Sequence, residues 1–225
     1  MSGNGAAAAD EVTPAALAAV ARQIYTAGPL LTRLMQHWRP YICPLEQVVN
    51  EVPAGAYVLD VGCGGGLLLG AMARMGRIRG GVGVDFSADG IAAAGVMAKS
   101  LGGAARLEFR RICAEDTWPE APYTVVTLVD VMHHVPPPVQ REVFQRVSAA
   151  VKPGALLIYK DIAQSPKWRM WANTLHDLVI ARQWVHYVPL AAIEEWAAAD
   201  GLRQVRRYRL DRLWYGHEFA VFERP

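Results

Sequence analysis

The chain has 225 residues, of which 52% are hydrophobic, so it can bury one sizeable core but not two independent ones. A net charge of +2 offers no strong field for nucleic acid, and three cysteines are too few for a disulfide framework and share no metal-ligand spacing. No apolar run reaches the roughly 18 residues of a membrane span and residues 1–10 do not resemble a signal peptide, so we expect one cytoplasmic domain without a metal, its first twelve residues disordered.

An apolar stripe at helical spacing precedes the first predicted strand. Basic side chains interrupt the stripe, and the run from Pro40 to Pro44 is expected to break it. The pattern predicts helices over residues 13–50 that pack against a sheet domain, although a basic amphipathic helix can also touch a membrane surface. The stripe consists of Leu30, Leu31, Leu34, Met35 and Trp38.

Residues 57–66 read Tyr-Val-Leu-Asp-Val-Gly-Cys-Gly-Gly-Gly and place an acid near the end of an apolar run. The run is typical of a buried parallel strand, and residues 67–73 are typical of a helix that packs back on the sheet. Glycine tolerates positive φ and carries no side chain, so Gly62, Gly64 and Gly66 would let the backbone turn sharply and approach a ligand closely.

A dinucleotide site is the obvious rival interpretation of this turn. Its fingerprint needs Gly-x-Gly-x-x-Gly or Ala, with the acid only at the end of the next strand, and here Leu67 occupies the last position. An acid at Asp60 would repel a pyrophosphate but can meet the ammonium group of a cofactor that carries an amino acid. S-adenosylmethionine is such a cofactor.

With an acid followed by Gly-x-Gly-x-Gly, the chain resembles the class I methyltransferases at their first motif. The resemblance runs through ordered motifs over residues 57–162 and implies an α/β fold, a three-layer α-β-α sandwich with a seven-stranded, mostly parallel, doubly wound sheet and an antiparallel C-terminal hairpin. It also implies that the leading helices form a lid, from which Tyr25, Arg39 or Tyr41 could reach the carboxylate of S-adenosylmethionine. The cofactor contacts that it implies in the first motif are Asp60, Gly62, Cys63, Gly64 and Gly66.

The second strand is predicted over residues 81–85 and ends in an acid 25 residues after the first one. A carboxylate there can accept hydrogen bonds from two ribose hydroxyls, although Asp85 could instead belong to a helix start with Ser87 and Asp89. The resemblance further implies that Phe86 covers a face of the adenine.

The third predicted strand, residues 106–112, leads into Cys113-Ala114-Glu115-Asp116. The resembled family often carries an acid here that receives the adenine amino group, while the next backbone N–H, here that of Ala114, meets the ring. In this chain Cys113 occupies the position of the acid. Either Glu115 or Asp116 substitutes for it, or the main chain alone reads the base.

The fourth predicted strand, residues 123–130, runs into two histidines and then three prolines that would open a helix. Ligands of open α/β sheets lie outside the carboxyl ends of the strands, which puts His133 and His134 on the reactive side and Asp130 among the cofactor contacts. A histidine in such a place can also merely cap or pack. Small-molecule methyltransferases of the resembled kind often carry a Leu-His-His run here, and in some a histidine with a later aspartate removes the substrate proton.

The fifth predicted strand, residues 155–159, would deliver Lys160 and Asp161 to the same edge of the sheet. Asp161 could orient or charge-stabilise a histidine base, or it could pair with Lys160 as a surface ion pair of little energy. Lys160 itself is expected to be solvated or to face the substrate.

Residues 164–200 leave the sheet pattern, are predicted to be mainly helical and are rich in aromatic side chains. Such a region can wall a substrate pocket or simply form core. A closing hairpin is predicted over residues 203–224, where several arginines are interpreted as a solvated face. We interpret residues 1–225 as one domain, with the cofactor-binding core at 57–162 and residues 164–200 on the substrate side.

The resemblance therefore implies an enzyme that moves a methyl group from S-adenosylmethionine to an O, N or activated C of a small hydrophobic or aromatic metabolite. His133 or His134 would act as the base, supported by Asp161. Three alternatives stay open: a methyltransferase acting on a lipid or quinone at a membrane surface, a non-catalytic S-adenosylmethionine-binding partner subunit, and a nucleic-acid methyltransferase. A nucleic-acid methyltransferase is disfavoured, because Asp130-Val131-Met132-His133 is not the Asn-Pro-Pro-aromatic motif that holds a flipped base.

Overall fold

The computed structural model describes residues 11–103, 105–113, 116–164 and 185–225, and within them seven strands form one sheet with helices on both faces. The strands are β1 (Ala56–Val61), β2 (Ile78–Asp85), β3 (Arg106–Arg111), β4 (Val125–Val129), β5 (Leu156–Ile162), β6 (Arg203–Arg212) and β7 (Tyr215–Glu223). The helices are α1 (Pro14–Ile24), α2 (Leu30–Ile42), α3 (Leu45–Glu51), α4 (Leu67–Arg74), α5 (Ala88–Ser100), α6 (Pro137–Ala150) and α7 (Leu190–Ala199), with a 3₁₀ turn at Met132–His134.

The strands lie in the order β3-β2-β1-β4-β5-β7-β6. The first five are mutually parallel, whereas β7 runs antiparallel to both β5 and β6. The predicted fold class is confirmed, including its antiparallel closing hairpin. Because the carboxyl ends of parallel strands meet at one edge, the sheet brings Asp60, Asp85 and Asp130 to that edge together.

The central strands β1, β4 and β5 are buried on both faces, as their near-continuous apolar runs predict. Val58 joins the cluster that packs under α1, α3, α4 and α5, whereas Leu59 and Val61 join the cluster under α6 and α7. This alternation follows from the two-residue period of a strand. The sheet is therefore the middle layer of three.

Two predicted boundaries are wrong. Val12 was expected to be disordered but is only 4% exposed, and its N–H donates to Asn50 Oδ1 over 3.0 Å. The fifth strand was expected to end at Tyr159 but continues to Ile162, because β7 pairs with it along its whole length up to His217. Lys160 and Asp161 are consequently strand residues with buried side chains rather than loop residues.

Helix α2 differs from its prediction in two ways. It continues through Pro40 to Ile42, and the N–H of Cys43 closes its last turn on the carbonyl of Arg39 at 2.8 Å. Its apolar stripe does not pack against the sheet domain, since Leu31 and Trp38 remain 71% and 64% exposed. The polar side of α2 faces the molecule instead, where Arg33 Nε donates to the carbonyl of Tyr25 over 3.1 Å.

Candidate active site

The glycine turn after β1 is held tightly against the neighbouring strands. The N–H groups of Gly62 and Cys63 donate to the carbonyl of Val84 at 2.8 and 3.1 Å. Gly62, Gly64 and Gly66 all have positive φ, at 74°, 51° and 80°. A Cβ on Gly62 would lie 2.3 Å from Val131 Cγ2, so the turn has no room for another residue there.

Asp60 is a buried acid at the end of β1. Its side chain accepts a hydrogen bond from Thr127 Oγ1 at 2.7 Å, and the residue is only 3% exposed. Burial raises its pKa from 3.8 to about 7, although the Thr127 hydrogen bond and the charge of Arg39 oppose the rise. The fold thus buries a carboxyl group, which would ionise if a cationic group bound beside it.

The leading helices reach this turn with polar groups. Tyr25 Oη donates to the carbonyl of Gly65 over 2.6 Å, and Arg39 Nη2 lies 4.0 Å from Asp130 Oδ2. A Cβ on Gly65 would lie 3.1 Å from Gln36 Nε2, which places α2 directly over the glycines. Tyr41, by contrast, is 36% exposed and packs its ring against that of Trp38. Of the three predicted lid contacts, Tyr25 and Arg39 lie at the site.

Asp85 stands at the end of β2 and supports the turn. Its Oδ2 accepts the N–H of Gly64 at 2.7 Å, and its Oδ1 accepts the N–H of Ser87 at 2.8 Å. The N-cap of α5 is Ser87 itself, whose Oγ accepts the N–H of Gly90. Asp85 therefore joins the glycine turn to the start of α5. Each of its carboxylate oxygens can still accept a hydrogen bond from another donor.

A cavity of about 490 Å³ opens beside Asp85 at the carboxyl edge of the sheet. It runs from Gly62 past Phe86 and Cys113 to His134 and the start of α6. Phe86 is 62% exposed. The main-chain N–H of Cys113 donates to Asp116 Oδ2 at 2.7 Å, so the Asp116 carboxylate faces that N–H. The predicted contacts at Ala114 and Glu115 lie outside the described residues.

Asp130 follows β4 in a left-handed conformation, with a φ of 55° that is unusual for a residue with a side chain. Lys160 Nζ donates to its Oδ1 at 2.5 Å, and Cys43 Sγ lies 3.1 Å from its Oδ2. Burial alone raises the pKa of Asp130, but the charges of Lys160, His133 and Arg39 lower it well below its usual range. The expectation that Lys160 is solvated or faces the substrate is wrong, since its side chain is fully buried beneath Asp130.

Asp161 contacts His133 and not Lys160, so the predicted surface ion pair does not form. His133 Nδ1 meets Asp161 Oδ1, and that same oxygen accepts the N–H of Ile162 at 2.7 Å. His133 is 3% exposed, and its ring centroid lies 4.0 Å from that of His134, which lines the cavity. The three residues form a row from the core to the cavity wall.

Sequence reasoning missed the residue that shapes the turn of the two histidines. Gln140 Nε2 on α6 lies within hydrogen-bonding distance of the carbonyls of Met132, Val135 and His186, at 3.3, 3.0 and 2.8 Å. The N–H of His186 also donates to the carbonyl of His133 at 2.7 Å. The available signal was the helical spacing of Gln140 with Phe144 and Val147, which puts a polar side chain on the buried face of α6, where it needs partners.

Asp130, His133 and Asp161 offer ligand atoms that lie within 4.8 Å of one another. These atoms already have partners, because Lys160 neutralises Asp130 and His133 meets Asp161. A cation would have to displace the buried Lys160 ammonium group, so these residues do not fit a metal ion.

The chain is similar to known methyltransferases in sequence. A family model described as a methyltransferase domain matches residues 34–206. A ubiquinone biosynthesis O-methyltransferase of Leptothrix cholodnii is 38% identical over 166 residues, which cover 70% of this chain and 68% of that protein. One of Pseudomonas savastanoi pv. phaseolicola is 38% identical over 121 residues, covering 53% of this chain and 50% of that protein. The chain thus matches between half and about two thirds of the length of these relatives.

Solved structures show the same fold at low sequence identity. A magnesium protoporphyrin IX methyltransferase of Synechocystis PCC 6803 with bound SAH has a TM-score of 0.66 over 92% of this chain and 94% of its own, at 17% identity. An O-methyltransferase family 2 protein of Planctomyces limnophilus in complex with apigenin has a TM-score of 0.67 over 98% of this chain and 63% of its own, also at 17% identity.

Proposed function

The chain belongs to the methyltransferase domain family, whose methyl donor is S-adenosylmethionine, and we propose that it methylates a phenolic or similarly acidic hydroxyl of a small hydrophobic metabolite. The observation that carries this proposal is the row Asp161–His133–His134, which runs from the core to a cavity that also contains Gly62 and Asp85. A proton acceptor and a cofactor cradle thereby share one opening.

The residues at the sheet edge fit the cofactor. The cavity of about 490 Å³ lies in the size range of small-molecule sites. Asp60 carries a buried carboxyl group that the ammonium of a bound amino acid would keep ionised, and Asp85 has acceptor capacity left for ribose hydroxyls. A Cβ on Gly62 or Gly66 would lie less than 3 Å from the side chains of Val131 or Phe109, so only glycine lets the turn follow this path beside the cavity. We assign these four residues to cofactor binding, with Gly64, Cys63, Phe86 and Asp130 beside them.

S-adenosylmethionine, when bound, would supply an electrophilic methyl group on a positively charged sulfur. An oxygen nucleophile would attack that methyl carbon in line with the C–S bond, and the sulfur would leave. The residues of the chain have to align the acceptor, exclude water and take the proton of the hydroxyl. His134 takes that proton as the acceptor oxygen attacks, because it is the member of the row that lines the cavity. The carboxylate of Asp161, acting through His133, stabilises the positive charge that His134 acquires.

A hydroxyl attached to an aromatic ring is the favoured acceptor for two reasons. Most of the cavity wall beyond Asp85 is apolar, including Val131, Val135, Val139 and Trp118, which suits a hydrophobic substrate. The relatives named above carry the name O-methyltransferase. A phenol, with a pKa of about 10, is also a hydroxyl that a single histidine can deprotonate during attack.

Calorimetry and turnover together test the proposal. We expect S-adenosylhomocysteine to bind the purified chain. We expect no measurable binding of S-adenosylhomocysteine to the Asp60→Ala variant. A panel of catechols and phenols should then yield S-adenosylhomocysteine from S-adenosylmethionine. Binding without turnover on any acceptor would favour a non-catalytic cofactor-binding subunit. Absence of binding to the intact chain would contradict the cofactor site itself.

A further inference from the structure

Gln36 lies on the side of α2 that faces the glycine turn. A Cβ on Gly65 would be 3.1 Å from Gln36 Nε2 and 3.5 Å from Tyr25 Oη, so the carboxamide and the hydroxyl share one place over the turn. The Tyr25 hydroxyl donates to the carbonyl of Gly65 at 2.6 Å. The Gln36 carboxamide brings both a donor group and an acceptor atom to the same place.

The acceptor atom of this carboxamide is buried without a donor. Gln36 Oε1 is shielded from solvent, and in the part of the chain that the structure describes no N–H or O–H group donates to it. Buried side-chain acceptors in folded proteins are nearly always hydrogen-bonded, because the water that they lose on burial has to be replaced. An unpaired acceptor beside a glycine turn that can approach a ligand closely therefore indicates an acceptor for that ligand.

Charged groups of both signs surround this place. Burial raises the pKa of Tyr25, the charge of Arg39 lowers that pKa, and the charge of Asp60 raises it further. Arg39 lies 4.0 Å from Asp130, whose other oxygen already accepts the Lys160 ammonium group. The Tyr25 hydroxyl, and with it the carboxamide, thus lies near a buried acid and a cation. Together these two groups complement the two charges of an α-amino acid.

The ammonium end of such an amino acid needs more than the acid. An ammonium group has three N–H donors, and its removal from water is costly unless each of them is accepted. One oxygen of Asp60 already accepts the Thr127 hydroxyl at 2.7 Å. A second carboxylate over the turn would repel Asp60, whereas an amide oxygen accepts an N–H without adding charge. A glutamine is therefore a residue type that complements Asp60 here.

We propose that Gln36 is a cofactor-binding residue, whose Oε1 accepts one N–H of the α-ammonium group of S-adenosylmethionine while Asp60 accepts another. The inference rests on the cofactor site of the proposed function and is independent of the methyl acceptor. Ligands that lack the α-amino group bind without this contact. Gln36 therefore gives the site a preference for a nucleoside that carries an amino acid.

The test is calorimetry with three ligands that differ only at this end. S-adenosylhomocysteine carries the whole amino acid, S-adenosyl-3-thiopropylamine keeps the amine without the carboxylate, and 5′-methylthioadenosine has neither group. Gln36→Leu removes the acceptor and keeps a side chain of similar size. We expect it to raise the Kd of both amines by about 10- to 100-fold, as for a hydrogen bond to a charged group. The Kd of 5′-methylthioadenosine should change by less than about twofold, because that ligand never makes the contact.

Gln145→Leu is the matched control, because Gln145 is an exposed glutamine of α6, and this variant should bind all three ligands like the unaltered chain. The proposal is overturned if Gln36→Leu binds S-adenosylhomocysteine as tightly as the control does. An equal loss for 5′-methylthioadenosine would also overturn it, since Gln36 would then have only a structural role.

A loss for S-adenosylhomocysteine that the amine without the carboxylate does not share would place Gln36 on the carboxylate and would overturn the assignment to the ammonium group. If the unaltered chain binds none of the three ligands, the cofactor site of the proposed function fails together with this inference. That result is distinct from a failure of the inference about Gln36 alone, in which the unaltered chain still binds S-adenosylhomocysteine.

Discussion

Asp60 shows how a single residue can lower stability in order to bind a ligand. Its neighbours place one hydrogen-bond donor, Thr127 Oγ1, against a carboxyl group that water does not reach. In the folded chain the pKa of Asp60 rises from 3.8 to about 7, mainly through burial. The folded state therefore holds this proton more tightly than the unfolded state does.

Asp60 favours the folded state only while its carboxyl group is protonated. The contribution of Asp60 to stability is complete below pH 3.8 and is lost as the pH rises through about 7, where the buried group ionises in the folded state. At pH 8 the ionised carboxylate costs about 4 kcal/mol relative to an exposed one. We expect Asp60→Asn to raise the free energy of unfolding at pH 8 by a large part of that amount, and to have little effect near pH 4.

Chemical denaturation of the unliganded chain at the two pH values measures this difference. The same variant should fail to bind S-adenosylhomocysteine, because an amide cannot neutralise an ammonium group. Asp85→Asn is the control, since Asp85 is only partly buried and its oxygens accept two main-chain N–H groups. A gain in Asp85→Asn equal to that in Asp60→Asn would show that general charge, and not burial of Asp60, sets the effect.

The two histidines make a second prediction at the scale of the residue. His134→Ala should lower kcat by about 10²- to 10⁴-fold and leave the affinity for S-adenosylhomocysteine nearly unchanged, because only the transfer of the proton is lost. With a phenolic acceptor the deficit should shrink as the pH approaches 10, where the phenol ionises without a base. Asp161→Asn should lower kcat by a smaller factor, and it should change the acid limb of the plot of kcat against pH.

Steady-state rates between pH 6 and 10 with one phenolic acceptor check these expectations. His186→Ala is the matched control, since its side chain is exposed and its main chain makes the hydrogen bonds to the histidine turn and to Gln140. Equal rates for His134→Ala and the unaltered chain at pH 7 would remove His134 from the mechanism.

At the scale of the element, the arginines of β6 differ in how deeply their partners are buried. Arg203, Arg206 and Arg207 have side chains 58% exposed or more, each paired with a glutamate, as a solvated face predicts. Arg212 at the end of the strand is different: its two terminal nitrogens meet Glu46 at 2.5 and 3.0 Å, and the Glu46 side chain is only 3% exposed. This pair ties β6 to α3, while the bond to the Pro40 carbonyl ties it to α2.

Arg212→Ala should therefore lower the free energy of unfolding by about 3 to 5 kcal/mol, because it leaves Glu46 buried without its partner. The matched control Arg203→Ala breaks an exposed pair with Glu223 and should change it by less than about 1 kcal/mol. Urea denaturation at pH 7 gives both values. Similar values for the two variants would mean that the Glu46 pair carries no more stability than a surface contact.

At the scale of the whole molecule, the sheet joins two apolar clusters into one body. Leu69 belongs to the cluster on the α4 side and Phe144 to the cluster on the α6 side, and both side chains are fully buried. Strands β1, β4 and β5 contribute residues to both clusters, which makes independent unfolding of either face costly. We propose that residues 1–225 behave as one domain.

Leu69→Ala and Phe144→Ala should each lower the free energy of unfolding by about 2 to 5 kcal/mol. Each should lower the midpoint of a single unfolding transition. Unfolding followed by near-ultraviolet circular dichroism and by tryptophan fluorescence should give coincident curves for both variants. Two separated transitions, each sensitive to only one of the substitutions, would contradict a single cooperative domain.

The sequence by itself was sufficient for the features that depend on local order along the chain. Strand periodicity and turn residues predicted the sheet, and the rule that parallel strands share a carboxyl edge predicted that Gly62, Asp85 and His134 lie together, as they do around one cavity. The glycine turn was also predictable, because positive φ and the lack of a side chain are properties of the residue itself.

The tertiary structure alone decided the contacts between distant parts of the chain. Thr127 meets Asp60 across 67 residues, Cys43 meets Asp130 across 87, and Arg212 meets Glu46 across 166. Lys160 became a buried partner of Asp130 only because pairing with β7 lengthened β5. The outward apolar face of α2 has the same origin. The pattern of a helix shows that it has two sides, but which side faces the protein depends on the polar groups that the fold places beneath it.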